Sequence, residues 1–211
     1  MSFINKLNLD RINLLRDEVT QKPALIETRL LAENKARTLL NNKSGSFDIE
    51  DFELFLNYCN TERVPTIRNP KVFSEKETFT RFGLSFNGKN RKRLMNSTNI
   101  CNFWSSQLWN SDGHELSILE KFWQEKNNLG AGIGLPALIL YLKEPLKYNI
   151  WLPSLHDSVT IITKKRLNSK RSSENYLFYN KLINSNLRHP FSLKPQEIDY
   201  ILFWICKNAK E

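Results

Sequence analysis

A mainly α-helical, compact multi-helix domain is the fold class this sequence predicts. Three observations predict it. Apolar residues recur at spacings of three and four along most of the chain, the period of a helix with one buried face. Strand-like alternation is confined to one proline-containing stretch, so a β element, if present, is small and falls near residues 64–86. The longest apolar run, residues 133–142, suits a buried helix and falls far short of the ~20 residues that span a bilayer. With 211 residues, 40% of them hydrophobic and 25% charged, the chain is long and apolar enough to bury a core. We read 1–211 as a single domain, with 61–90 the place where a subdivision would fall.

Taken in order, Ile12, Leu15 and Val19 share a face in a first amphipathic segment, which does not resemble a signal peptide. Ile26, Leu30, Leu31, Leu39 and Leu40 mark a second helix running out near Asn41. Asp48, with Asp51 three residues on, predicts an N-cap, and Ile49, Phe52, Phe55 and Cys59 form the next stripe. Helical spacing resumes with Ile100, Trp104 and Leu108. Asp112 and Glu115 have the spacing of a capping box before Leu116, Leu119 and Trp123. A glycine-rich turn leads into an apolar helix that Pro145 ends, expected to be buried on all sides. "LKYNIWLP" reads as extended. Tyr176, Tyr179 and Ile183 mark one more helix, and Ile198, Ile201, Leu202 and Ile205 the last. Between these, residues 166–173 are the expected mobile surface loop.

Charge separates along the chain. Lys and Arg number 31 against 22 Asp and Glu, a formal surplus of +9. Residues 61–100 hold nine cations against three acids, and residues 164–171 hold five cations and no acid. These two segments account for more than the whole surplus. Clustered Lys and Arg on irregular segments suit phosphate contacts, because they neutralise backbone charge and release counterions. The candidate DNA-binding residues are Arg81, Lys89, Arg91, Lys92 and Arg93 in the first cluster, and Lys164, Lys165, Arg166, Lys170 and Arg171 in the second, which is expected to be the more mobile. Phe79, Phe82 and Phe86 interleave with the first cluster, a pattern compatible with base stacking and equally with a core.

The turn Leu129–Ala137 contains neither a Walker A lysine nor a dinucleotide fingerprint. It resembles the hairpin of a helix-hairpin-helix motif, which implies backbone contact with phosphate at Gly132 and Gly134. Ala137 falls one residue early for that motif and Pro136 intrudes. No catalytic constellation emerges. His114, His156 and His189 are isolated, no nucleophile elbow occurs, and Glu33-Asn34-Lys35 has the nuclease-like Glu-x-Lys form without a strand to present it. Cys59, Cys101 and Cys206 are too far apart in sequence for a zinc knuckle or redox pair and read as reduced core residues of a cytoplasmic protein. The expectation is no metal, no cofactor and no enzyme complete in itself.

Residues 80–94, the Trp-containing helix after them, and "LGAGIGLPALILYLKEPLKYNIWLPSL" at 129–155 resemble N-terminal regions of McrB-like AAA+ restriction proteins. Pro145, Tyr148 and Ile150-Trp151 carry the last part of that resemblance. It implies a target-recognition domain of a restriction or phage-defence system, one that reads specific or modified double-stranded DNA beside an AAA+ motor and a nuclease subunit. Within it, Tyr148 and Trp151 are candidate walls of a base pocket, and no catalytic residue carries over. The rival expectations are a module that docks an acidic protein through the same cations, and a nuclease with no recognisable motif. No membrane partner is expected.

Overall fold

The computed structural model describes residues 13, 14, 17, 23–59, 89–125, 134–151, 156–168 and 170–208. Within them the protein is mainly helical, with no strand among the described residues. The expected β element near 64–86 lies outside the described residues.

The helices are α1 (Pro23–Asn42), α2 (Ile49–Cys59), α3 (Lys89–Asn96), α4 (Thr98–Trp109), α5 (Glu115–Gln124), α6 (Gly134–Lys143), α7 (His156–Thr163), α8 (Ser173–Ile183) and α9 (Pro195–Asn208). α8 runs on through a π turn, Asn184–Arg188, and a helical turn, His189–Phe191. Local chemistry sets several ends. Pro23 and Pro195 occupy first helical positions, where a missing N–H costs nothing. Asp48 caps α2 as its spacing predicts, Oδ1 accepting from the Asp51 N–H at 2.8 Å. Glu197 reaches back to the Lys194 N–H at 2.7 Å, half of a capping box at the start of α9. Gly45, at φ +73°, closes α1 so tightly against α4 that an added Cβ would sit 2.5 Å from Trp109 Cβ. That position needs glycine on both counts.

α6 is the centre of the bundle. Every residue from Leu135 to Leu142 is buried, as the all-apolar run predicts. α4, α1 and α5 pack around it, α9 packs on α1 and α7, and α8 on α5 and α7. Each of its buried Leu or Ile side chains contributes about 1.5–3 kcal/mol of transfer free energy. The stripes on α8 (Tyr176, Tyr179, Ile183) and α9 (Ile198, Ile201, Leu202, Ile205) are buried as expected.

Three sequence expectations are corrected. α1 does not bury Leu31, which is 44% exposed. Its inner face is Arg29, Ala32, Glu33, Ala36 and Leu40. On α2, Ile49 is exposed, and Leu56 joins Phe52 and Phe55 in the core. The capping box at 112–115 does not form: the cap residue of α5 is His114, and Glu115 accepts from the Gly113 N–H while Asp112 lies in solvent beside Lys143. No sequence expectation covered α7, which has no periodic apolar stripe to announce it. It is held by Val159 and by Ser158, whose Oγ donates to the Leu202 carbonyl at 2.6 Å.

Candidate nucleic-acid interface

The second basic cluster forms a short loop between α7 and α8. α7 ends at Lys164, whose N–H bonds the Thr160 carbonyl at 2.8 Å and whose φ of +55° is left-handed. Glycine is the usual occupant there, and a lysine carries a strain of about 1–2 kcal/mol. Leu167 then turns inward and is buried, while Lys164, Lys165, Arg166, Lys170 and Arg171 stay exposed. The far end is tied down by side-chain bonds. Asn168 Oδ1 accepts from the Lys170 N–H at 2.9 Å, and Asn175 Nδ2 donates to the Lys170 carbonyl at 2.9 Å. Ser172 caps α8 through the Asn175 N–H, and the Ser173 N–H donates to Glu120 Oε2 at 2.6 Å. The segment is therefore tethered at both ends, unlike the free surface loop expected from its polarity.

None of the five loop cations makes an ion pair among the described residues. Lys165 Nζ lies 5.9 Å from the Phe178 ring centroid, and Phe178 is itself 37% exposed. Thus an aromatic face accompanies the charges on α8, at a place the sequence did not flag.

The first cluster is reached only in part. Arg81 lies outside the described residues. Lys89 and Arg91 fall on α3, but their side chains are also outside them. Lys92 and Arg93 are exposed on α3 and make no ion pair among the described residues. α3 packs on α2 and α4, whereas the loop at 164–171 joins α7 to α8, so the two clusters ride on different parts of the bundle.

Three of the other candidates lie inside. Gly132 is outside the described residues, and Gly134 is a buried residue at the start of α6. Tyr148 and Trp151 are 2% and 0% exposed. Trp151 stacks on Tyr176 and Tyr179, with centroids 5.4 and 5.9 Å away, and Tyr148 stacks on Tyr176 at 6.0 Å. Trp151 Nε1–H donates to His156 Nε2 at 2.5 Å, which requires the neutral imidazole. Burial holds His156 below its ordinary pKa, partly opposed by Asp157. In this arrangement both aromatics serve as packed core.

The least legible feature is a buried charge network. Arg29 Nε bonds Glu33 Oε1 at 2.9 Å, and its Nη2 bonds Asp199 Oδ2 at 2.8 Å. Tyr141 donates to Glu33 Oε1 at 2.8 Å, Gln196 Nε2 to Glu33 Oε2 at 2.8 Å, and Arg37 Nη2 to Glu33 Oε2 at 3.1 Å. Burial works against the charge on Arg29, but Tyr141, Asp199 and Glu33 outweigh it and keep its pKa well above the usual value. Burial raises the Asp199 pKa, and Arg29 partly offsets that. The network ties α1 to α6 and α9. Both Glu33 oxygens already accept two bonds each, so this carboxylate has no free edge for a metal ion, and the Glu33-Asn34-Lys35 spelling is explained by packing. Its sequence signal was available: Arg29 and Glu33 share the face of Ala32, Ala36 and Leu40. No cluster of three or more His, Cys, Asp or Glu suited to a metal ion occurs among the described residues, and none of their helices is long and apolar enough to cross a membrane. Cys101 is buried, and its thiol is pushed up to about 12.

No family model, curated protein or solved structure matches the chain.

Proposed function

We propose that this chain is a DNA-binding domain that grips the phosphate backbone of duplex DNA through the loop at 164–171 and the basic face of α3. One observation carries the reading: five cations on a tethered eight-residue loop, all exposed where described and none paired with an acid there. Holding unpaired like charges together costs self-repulsion, and Lys164 adds backbone strain. A polyanion relieves the first, and tethering limits the ordering cost of binding. The resemblance supports a finer proposal, that the domain recognises targets, including modified DNA, for a restriction or phage-defence system beside an AAA+ motor and a nuclease.

The test is a salt titration of binding to duplex DNA, for wild type and for a variant with Lys164, Lys165, Arg166, Lys170 and Arg171 changed to Ala. Log affinity should fall linearly with log salt. The variant should flatten that slope by up to about 0.9 per lost phosphate contact. A folded wild type with no salt-dependent affinity for duplexes refutes the reading. A panel of modified and unmodified duplexes tests the finer proposal, which equal binding to all of them would sink.

A further inference from the structure

α3 and α4 are separated by Ser97 alone, whose backbone, at φ −106° and ψ 19°, breaks the helix between them. The Ser97 N–H bonds the Arg93 carbonyl at 3.1 Å, and the Cys101 N–H bonds the Ser97 carbonyl at 2.9 Å. Across this pair the exposed residues are Lys92, Arg93, Asn96, Asn99, Phe103, Gln107 and Asn110. On α4, Asn99, Phe103 and Gln107 recur at steps of four, so they form one outward stripe about 12 Å long at ~1.5 Å per residue, with Lys92, Arg93 and Asn96 on the short helix before it.

The chemistry of the stripe is unusual for a solvated helix. No Asp or Glu occurs anywhere between residues 78 and 111. The amides of Asn96, Asn99 and Gln107 make no hydrogen bond among the described residues. Phe103 is 57% exposed, its ring edge-on to Trp104 with centroids 5.0 Å apart. An ordinary outer face carries mixed charges that interact three and four residues apart. Here the outer face has cations at one end and amides with an apolar ring along the rest.

The opposite face is firmly seated. Cys101, Asn102, Ser105 and Leu108 are buried, and α4 packs on α6 and α5. Asn102 Nδ2 donates to the Phe47 carbonyl, and Ser106 Oγ and Asn110 Nδ2 both donate to the Ser44 carbonyl, at 2.9 and 2.8 Å. The stripe is thereby held on a rigid element, which is what a reading surface requires.

We propose that α4 is the recognition helix, with the exposed stripe of Asn99, Phe103 and Gln107 laid in the major groove of duplex DNA and Lys92 and Arg93 of the preceding α3 on the flanking phosphates. This rests on the DNA-binding reading above and adds the element that selects sequence. The major groove, about 12 Å wide, admits one helix. Asn and Gln amides pair with adenine through its N6 and N7 edge, and an apolar ring suits the thymine methyl. The stripe therefore selects A·T-containing sites. An acidic protein surface would satisfy Lys92 and Arg93 equally well, but it gives no reason for two unengaged amides and an exposed ring in register on α4.

The experiment is enrichment from a random-sequence duplex library, run with wild type and with an Asn99→Ala, Phe103→Ala, Gln107→Ala variant whose fold is checked by circular dichroism. Salt titrations on one unselected duplex accompany it. Wild type should enrich a motif of a few base pairs containing A·T steps. The variant should keep the salt slope and hold unselected affinity within about threefold, yet lose motif preference by tenfold or more. An Asn99→Gln variant, which retains an amide, should keep part of that preference. The proposal is overturned if the folded variant enriches the wild-type motif equally. It is also overturned if wild type binds duplexes in a salt-dependent way but enriches nothing, because the surface then reads backbone alone. Failure of wild type to bind any duplex, with binding to polyglutamate instead, removes the DNA reading itself and this inference with it.

Discussion

Arg29 and Glu33 show why residue chemistry, more than periodicity, fixes α1 in place. A helix that buries Ala32, Ala36 and Leu40 has room between its small side chains for one long cation and its carboxylate partner. Those charges are retained because Asp199, Tyr141 and Gln196 complete their bonding from α9 and α6. Removing one partner leaves the others uncompensated in a dry interior. Arg29→Met should therefore cost about 3–5 kcal/mol in denaturant unfolding. Arg37→Met, at a side chain 24% exposed, should cost at most about 1 kcal/mol. Equal losses at the two positions would show that burial is not what makes the network matter. Such a face is hard to read in advance because stripe-finding counts apolar residues, and here the inward positions include two of the most polar side chains. His156 gives the residue scale its pH dependence. Its folded-state pKa lies below the ordinary 6.5, so between the two values the unfolded chain binds more protons. Stability contributed by the neutral imidazole is complete above about pH 6.5 and is lost as pH falls toward the folded pKa. Melting temperatures across pH 5–7 should show that decline in wild type and a shallower one in His156→Gln. Parallel curves would mean that His156 does not titrate with folding.

Elements were legible where an apolar stripe persists and obscure where it does not. α6 follows from an all-apolar run, and α8 and α9 from stripes that remain readable although Asn180, Gln196, Glu197 and Asp199 are buried beside them. α7 does not, since a serine hydroxyl bonded to a carbonyl does part of the work. The loop at 164–171 was legible as a charged surface loop but not as a tethered one. Its tether depends on Asn168 and, from α8, on Asn175, which their polarity does not distinguish from ordinary surface residues. Lys164 joins stability and function within this element. The left-handed backbone costs a lysine about 1–2 kcal/mol, and glycine returns roughly 0.5–1 of that through its larger unfolded-state entropy. Lys164→Gly should thus stabilise the fold by about 0.5–1 kcal/mol while weakening duplex binding. A variant that is no more stable, or one that binds DNA as tightly as wild type, would separate that strain from function.

At the scale of the whole molecule the question is whether the two basic surfaces act together. α3 is seated on α2 and α4, and the loop at 164–171 belongs to α7 and α8, with α5 and α6 lying between these groups in the packing. Changes at the two surfaces share no hydrogen bond or ion pair among the described residues, so their effects on the fold should be independent. Their effects on binding depend on geometry. If one duplex touches both surfaces at once, each set of cations releases its own counterions, and the salt slopes lost should add. The measurement uses three proteins beside wild type: Arg91, Lys92 and Arg93 changed to Ala, the five loop cations changed to Ala, and both sets changed. We expect each set alone to flatten the slope and the combination to flatten it by the sum. The α3 set should also lower affinity for all duplexes alike, because phosphate contacts position the protein and base contacts select the site. If the combined variant loses only as much slope as one set alone, a single surface carries the DNA and the other serves another partner. That outcome would keep the DNA-binding reading and confine it to whichever set moved the slope.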